Sequence, residues 1–140
     1  MGFSASAAFA IIGVCMVICM DIFFGSVLPS LEDLERSYRE LEERSVERAN
    51  TEIEILSITK SSGNPYNLSI EVKNTGSINL DVEEFSVLIN GSLQNFTYSS
   101  RYLYPERTVL INVTDLTYTG SNRVKIITGN GVSDYDTYNA

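Results

Sequence analysis

The chain has no histidine and no tryptophan, and only two cysteines and three prolines among its 140 residues. Without histidine a Ser-His-Asp apparatus cannot form and the commonest zinc ligand is missing. Both thiols, Cys15 and Cys19, fall near the start, so the rest of the chain must hold its core without disulfides. Cations are also scarce: ten Lys and Arg against 18 Asp and Glu leave a net charge of −8. That balance excludes a nucleic-acid footprint, which needs clustered bases to neutralise phosphates. From Met1 to Pro29 the only charged side chain is Asp21, whereas residues 30–140 hold 17 acids and all 10 bases. The mean hydropathy of +0.01 therefore averages two unlike parts.

The first part reads as a membrane segment over residues 1–29. No charge occurs from Ala5 to Met20, and Ile22, Phe23, Phe24, Val27 and Leu28 resume the apolar run after Asp21. A hydrocarbon layer of ~30 Å needs roughly 20 such residues, so one transmembrane helix fits, with Pro29 and Ser30 marking its exit. A cleaved secretory signal would show a basic n-region, and no Lys or Arg precedes Arg36. The opening Met-Gly-Phe-Ser-Ala-Ser fits a myristoylation pattern that a spanning helix makes redundant. Gly2-Phe3 before an apolar helix is also similar to the processing site of type IV pilin-like proteins, without the usual preceding base or following acid. A carboxylate at membrane depth costs about 3 kcal/mol unless it is paired, protonated or interfacial, which puts Asp21 at the membrane boundary. A polar contact to another helix or membrane complex is the sharper alternative. Cys15 and Cys19, four apart, read as small packing residues rather than metal ligands.

Residues 30–50 read as a helical stalk. Ser30 and Asp33 fit a capping box, and Leu31, Leu34, Tyr38, Leu41 and Ser45 follow the a/d spacing of a coiled coil. Glu35-Arg39 and Glu40-Arg44 attract at i,i+4, while Glu43-Glu47 repels. Two heptads are marginal alone. The stalk is therefore expected to continue the membrane helix as a rod, and either to dimerise or to pack one stripe on the next domain.

From Thr51 the apolar period switches from helical to two. Ile53, Ile55 and Ile58, then Leu68, Ile70 and Val72, begin a series of seven or eight short strand-like runs. The later runs are 78–82, 85–89, 93–98, 108–113, 123–128 and 132–138. Turn signals separate them, including Asn74-Thr75-Gly76-Ser77, Asn90-Gly91 and Gly129-Asn130-Gly131. The pattern predicts that residues 51–140 form an all-β, immunoglobulin-like antiparallel β-sandwich without the Cys-Trp-Cys core of antibody domains. Four N-glycosylation sequons begin at Asn67, Asn90, Asn95 and Asn112. Asn67 and Asn112 alternate with apolar neighbours and so face outward, which favours an extracytoplasmic domain. The basic residues Arg36, Arg39, Arg44 and Arg48 after the helix argue the other way by the positive-inside rule.

Tyr98, Arg101, Tyr102 and Tyr104 cluster in one segment and are of the types that dominate interface hot spots, so they form a candidate partner-binding surface. The plainer alternative is that half of these tyrosines belong to the core or to strands. The tail Asp134, Tyr135, Asp136 and Tyr138 alternates as a closing or edge strand, open to β-augmentation or a metal contact. Glu83 and Glu84 are adjacent, and neighbouring strand residues point to opposite faces, so they do not make a glycosidase pair.

The opening Met-Gly-Phe-Ser-Ala-Ser-Ala-Ala with Ala10-Ile11-Ile12-Gly13, the short acidic helix, and the segments Val72–Ser77 and Phe85–Gly91 together resemble the FlaF/FlaG family of archaellum (archaeal flagellum) accessory proteins. The likeness is stronger to the FlaF type. It implies a non-enzymatic, single-pass component of the archaeal cell membrane, without cofactor or metal. Its outer sandwich would sit between membrane and surface layer and bind surface-layer protein, acting as a stator for filament rotation. Its other implied partners are a FlaG-like protein, the motor complex and membrane lipid, in a homo- or hetero-oligomer, with no nucleic acid. The alternative is a filament-forming subunit of FlaG-like, archaellin or type IV pilin-like character.

Overall fold

The computed structural model describes residues 2–140, which divide into two compact units, Met1–Glu43 and Arg44–Ala140. In the first, helix α1 (Gly2–Ile22) passes through a π-helical turn, Phe23–Val27, into helix α2 (Leu28–Ala49), whose last turn belongs to the second unit. The run is long and apolar enough to cross a membrane, and none of α1 is buried.

Pro29 does not end this helix. Proline removes one backbone donor and crowds the carbonyl four residues earlier. Here the ladder widens just upstream instead, with the Leu28 N–H donating to the Phe23 carbonyl five residues back. The expected helix exit at Pro29–Ser30 is thereby corrected, and so is the capping box. Ser30 lies inside α2, where its Oγ donates to the Ser26 carbonyl at 2.7 Å. The rod-like continuation from membrane segment to stalk is what forms. Of the expected stalk pairs, Glu35 and Arg39 close at 2.7 Å, fully in solvent and so of small energetic weight. Leu31, Leu34, Tyr38 and Leu41 are all exposed, leaving the a/d stripe open in the single chain.

The second unit is a β-sandwich. One antiparallel sheet has the order β1 (Ile53–Lys60), β2 (Tyr66–Asn74), β8 (Thr108–Leu116), β6 (Thr97–Tyr98). The other runs β10 (Ser133–Asn139), β9 (Ser121–Ile127), β4 (Ser86–Ile89), β5 (Ser92–Gln94), and a two-stranded ribbon pairs β3 (Leu80–Asp81) with β7 (Tyr102–Leu103). Strict alternation drives this arrangement: Leu68, Ile70 and Val72 of β2, Val109, Ile111 and Val113 of β8, and Val124 and Ile126 of β9 are almost wholly buried between the sheets. Each such side chain contributes roughly 1.5–3 kcal/mol of burial, which replaces the missing disulfides.

Two expectations about strands change. The run 93–98 is two strands, because Asn95-Phe96 carries the chain from one sheet to the other. Residues 82–84 form a 3₁₀ turn, N-capped by Asp81 accepting from the Glu83 N–H at 3.0 Å, so Glu83 and Glu84 are not strand residues at all.

Candidate functional site

Of the expected partner-binding residues, Arg101 and Tyr102 meet at the β3–β7 ribbon, Tyr104 follows it, and Tyr98 lies on β6 of the first sheet, so Tyr98 and Tyr102 are strand residues. Tyr98, Tyr102 and Tyr104 are 38%, 49% and 53% exposed, so none of the three is a core residue. The tyrosines used by the core are instead Tyr66 and Tyr138, whose hydroxyls meet at 2.8 Å. Burial, with that hydrogen bond second, pushes the Tyr138 phenol upward.

Arg101 is held between Asp81 at 3.0 Å and Glu83 at 3.1 Å, and its guanidinium lies 5.5 Å from the Tyr102 ring centroid. Its hydrogen bond holds the Asp81 carboxyl below the usual range, and Asp81 in turn raises the guanidinium. The local backbone fixes this clamp, since the Val82 N–H donates to the Arg101 carbonyl at 2.8 Å. Nearby, Lys73 pairs with Glu106 at 2.6 Å, and that hydrogen bond raises the ammonium. The result is a tyrosine patch with its cation already neutralised, suited to apolar and hydrogen-bonded contact more than to capturing an anion.

The four sequon asparagines are all exposed, but their amides differ. Asn90, in the left-handed conformation at φ 51°, donates through Nδ2 to Asn122 Oδ1 at 2.8 Å and accepts from the Arg123 N–H at 2.9 Å. Asn112 accepts from Ser69 Oγ at 2.7 Å, and Asn67 accepts weakly from the Asp115 N–H at 3.4 Å. Asn95 sits in the crossing between sheets and makes no side-chain hydrogen bond among the described residues. Asp21, the expected boundary residue, lies one residue before the end of α1 and is exposed.

One assembly was not expected. The link Asn50–Glu52 that follows α2 is held by two turns that belong to different sheets. In the turn after β2, the Thr75 and Gly76 N–H groups donate to the Glu52 carbonyl at 2.9 and 3.0 Å, and Ser77 N–H to the Asn50 carbonyl at 2.9 Å. A Cβ on Gly76 would stand 2.5 Å from the Asn50 carbonyl oxygen and 2.6 Å from the Glu52 nitrogen, so only glycine permits the approach. Asn74, completely buried, organises this turn: Nδ2 donates to the Ile78 and Leu103 carbonyls at 2.7 and 3.0 Å, and Oδ1 accepts from Gly76 N–H at 3.0 Å. From the β9–β10 turn, Asn130 Nδ2 donates to Thr51 Oγ1, which itself donates to the Glu47 carbonyl at 2.8 Å. Both turns are visible in the sequence as Asn/Gly clusters. Their meeting at one link is not.

Among the described residues no cluster of acids or thiols has metal-site geometry. Against known families, the model of the archaeal-type flagellins matches residues 2–137. The chain belongs to the archaeal-type flagellin family. A flagella-related protein F of Methanococcus voltae is 25% identical over 113 residues, covering 81% of this chain and 83% of that one. The solved structure of the archaellum periplasmic stator protein FlaG from Sulfolobus acidocaldarius shares the fold, with a TM-score of 0.53 and 21% identity over 63% of this chain and 99% of that one. This flagellin-family chain is thus an archaellum component of the FlaF/FlaG accessory type, as the sequence resemblance implied.

Proposed function

We propose that this protein is a stator-type structural component of the archaellum, anchored by a single spanning helix over the first 29 residues. Its sandwich lies between membrane and surface layer and binds surface-layer protein, with Tyr98, Arg101, Tyr102 and Tyr104 as one contact region and with glycans on the free sequons. The observation that carries this reading is the holding of the Asn50–Glu52 link by turns from both sheets, because a load-bearing domain needs its entry segment fixed to its own core. The fold is supportive, since the likeness is to a protein whose name describes it as a periplasmic stator. No step of this role needs a catalytic side chain.

A pull-down of residues 44–140 with isolated surface-layer protein at several pH values tests the reading. Retention is expected, and its absence under every condition would refute the proposal. The second reading, a filament subunit, is favoured by the flagellin-type family match across residues 2–137. It predicts removal of Met1-Gly2 from the mature protein. Mass spectrometry that finds an intact N-terminus counts against it.

A further inference from the structure

The two outer faces of the sandwich differ in kind. That of the β1-β2-β8-β6 sheet carries acids, Glu54 and Glu71, together with the sequons at Asn67 and Asn112. On the β10-β9-β4-β5 sheet, the strand register places Leu93, Leu88, Lys125 and Tyr135 in one row across the four strands. Arg123 and Thr137 follow in the next row. The alternation along β4, β9 and β10 puts no Asp or Glu on this face. Of the two sequons at its rim, Asn90 has its amide already engaged, and Asn95 follows the end of β5, where the chain leaves this sheet.

In a chain of net charge −8, two cations therefore stand on this sheet without an ion pair among the described residues. The Arg123 Cζ lies over the Tyr135 ring, 3.8 Å from its centroid, which positions the guanidinium without neutralising it. Leu88, Asn90, Gly91, Arg123 and Lys125 line a groove of about 340 Å³, and Leu93 and Tyr135 beside it are 71% and 57% exposed. An aromatic-stacked Arg, a Lys and uncovered apolar side chains on a face whose own strands turn Asp134 and Asp136 to the opposite side form a protein-docking composition whose complement is acidic. A second copy meeting it face to face would bring Arg123 and Lys125 against their own equivalents, so that occupant is disfavoured.

We propose that the outer face of the β10-β9-β4-β5 sheet docks an acidic protein surface, with Arg123 and Lys125 receiving carboxylates and Leu88, Leu93 and Tyr135 supplying the apolar contact. This deepens the stator reading and rests on it, because it names a contact face and charge for a partner-binding protein.

The test uses the full-length protein in detergent and two charge-matched double variants, R123E/K125E and K60E/R107E. A fluorescein-labelled poly-glutamate peptide is titrated at low salt, and retention of isolated surface-layer protein is measured in parallel. Binding of poly-glutamate by wild type is expected to weaken at least about tenfold in R123E/K125E and to change less than about twofold in K60E/R107E. Surface-layer retention should fall in the same variant only. Equal loss in both variants, or no peptide binding by wild type, overturns the proposal. So does binding to phosphatidylglycerol vesicles, in place of the peptide, that R123E/K125E abolishes. If wild type and R123E/K125E retain surface-layer protein equally, this face is wrong while the stator reading stands. If wild type retains none, the stator reading itself fails.

Discussion

Replacing Asn74 by alanine should cost far more than its position in a turn implies. The side chain is completely buried and spends both ends of its amide on backbone. Alanine removes both donors and the acceptor, but the losses are unequal. The Gly76 N–H keeps its second acceptor, the Glu52 carbonyl at 3.0 Å. The Leu103 carbonyl, on a residue with no exposure, loses the donor that now reaches it at 3.0 Å, and the Ile78 carbonyl lies where water can partly replace the amide. An unsatisfied buried polar group costs ~1–3 kcal/mol, and the vacated amide volume adds to it, so a loss of about 3 kcal/mol is expected. For a domain of this size that is a fall in melting temperature of roughly 12 °C or more. Thermal unfolding of residues 44–140 followed by circular dichroism, with urea titration as a second measure, reads the difference directly. A loss under about 1 kcal/mol would refute the reasoning, because it would mean that water or a local shift satisfies both carbonyls at little cost.

Gly76→Ala should also destabilise, by about 1–3 kcal/mol, as a Cβ cannot fit against the Asn50 carbonyl and Glu52 nitrogen; hydrogen exchange at Thr75 and Ser77 amides should accelerate with it. An unchanged exchange pattern would show that the Asn50–Glu52 link is not held as described. The Asp81 carboxyl is held below its ordinary value of 3.8, mainly by the Arg101 hydrogen bond. A depressed carboxyl contributes stability above its unfolded value that disappears as pH falls through its folded value. Wild type should therefore lose its small, salt-sensitive advantage over Arg101→Ala below about pH 4, and an advantage that persists to pH 2 would contradict this. Glycopeptide mass spectrometry of protein from a glycosylating archaeal host should find Asn95 occupied and Asn90 bare, since only the latter has its Nδ2 committed to Asn122. The reverse order would discard amide availability as the deciding factor.

Short-range patterns carried most of the architecture. The alternation of Leu68, Ile70 and Val72 with polar neighbours placed β2 and its inward face, and the apolar run before Pro29 defined the membrane segment. The reading failed where a local signal competed with its neighbourhood. Pro29 is a strong breaker, yet twenty-odd apolar residues on one side and a good helix former sequence on the other make continuation through a π-turn cheaper than stopping. Residues 93–98 looked like one strand because period two says nothing about which sheet each half joins. Similarly, Arg101 stood out in the sequence as a candidate interface residue, but its pairing with Asp81 depends on a ribbon between strands some twenty positions apart. Tyr135 was legible as part of a closing strand, but its stacking with Arg123 was not, since only the β9–β10 register brings the two together.

The joint below the sandwich is where the stator reading becomes mechanical. Covalently, the end of α2 joins β1 through the short link Asn50–Glu52, about which a helix could swivel. The hydrogen bonds remove that freedom from two directions. The turn after β2 grips the Asn50 and Glu52 carbonyls, and the β9–β10 turn grips Thr51, which is itself tied back to Glu47 in the last helical turn. Each bond is modest, about 1 kcal/mol net. Because the two turns hang from opposite sheets, displacing the Asn50–Glu52 link must break contacts to both together, and the sandwich core resists any motion of one sheet against the other. A protein that only displayed a binding surface would have no need of such a joint; a flexible linker would serve display better, by widening the reach of the bound domain. The requirement for glycine at position 76 and for a fully satisfied buried asparagine at position 74 is thus a requirement for stiffness at the segment where the chain enters the sandwich, which the proposed stator role would use.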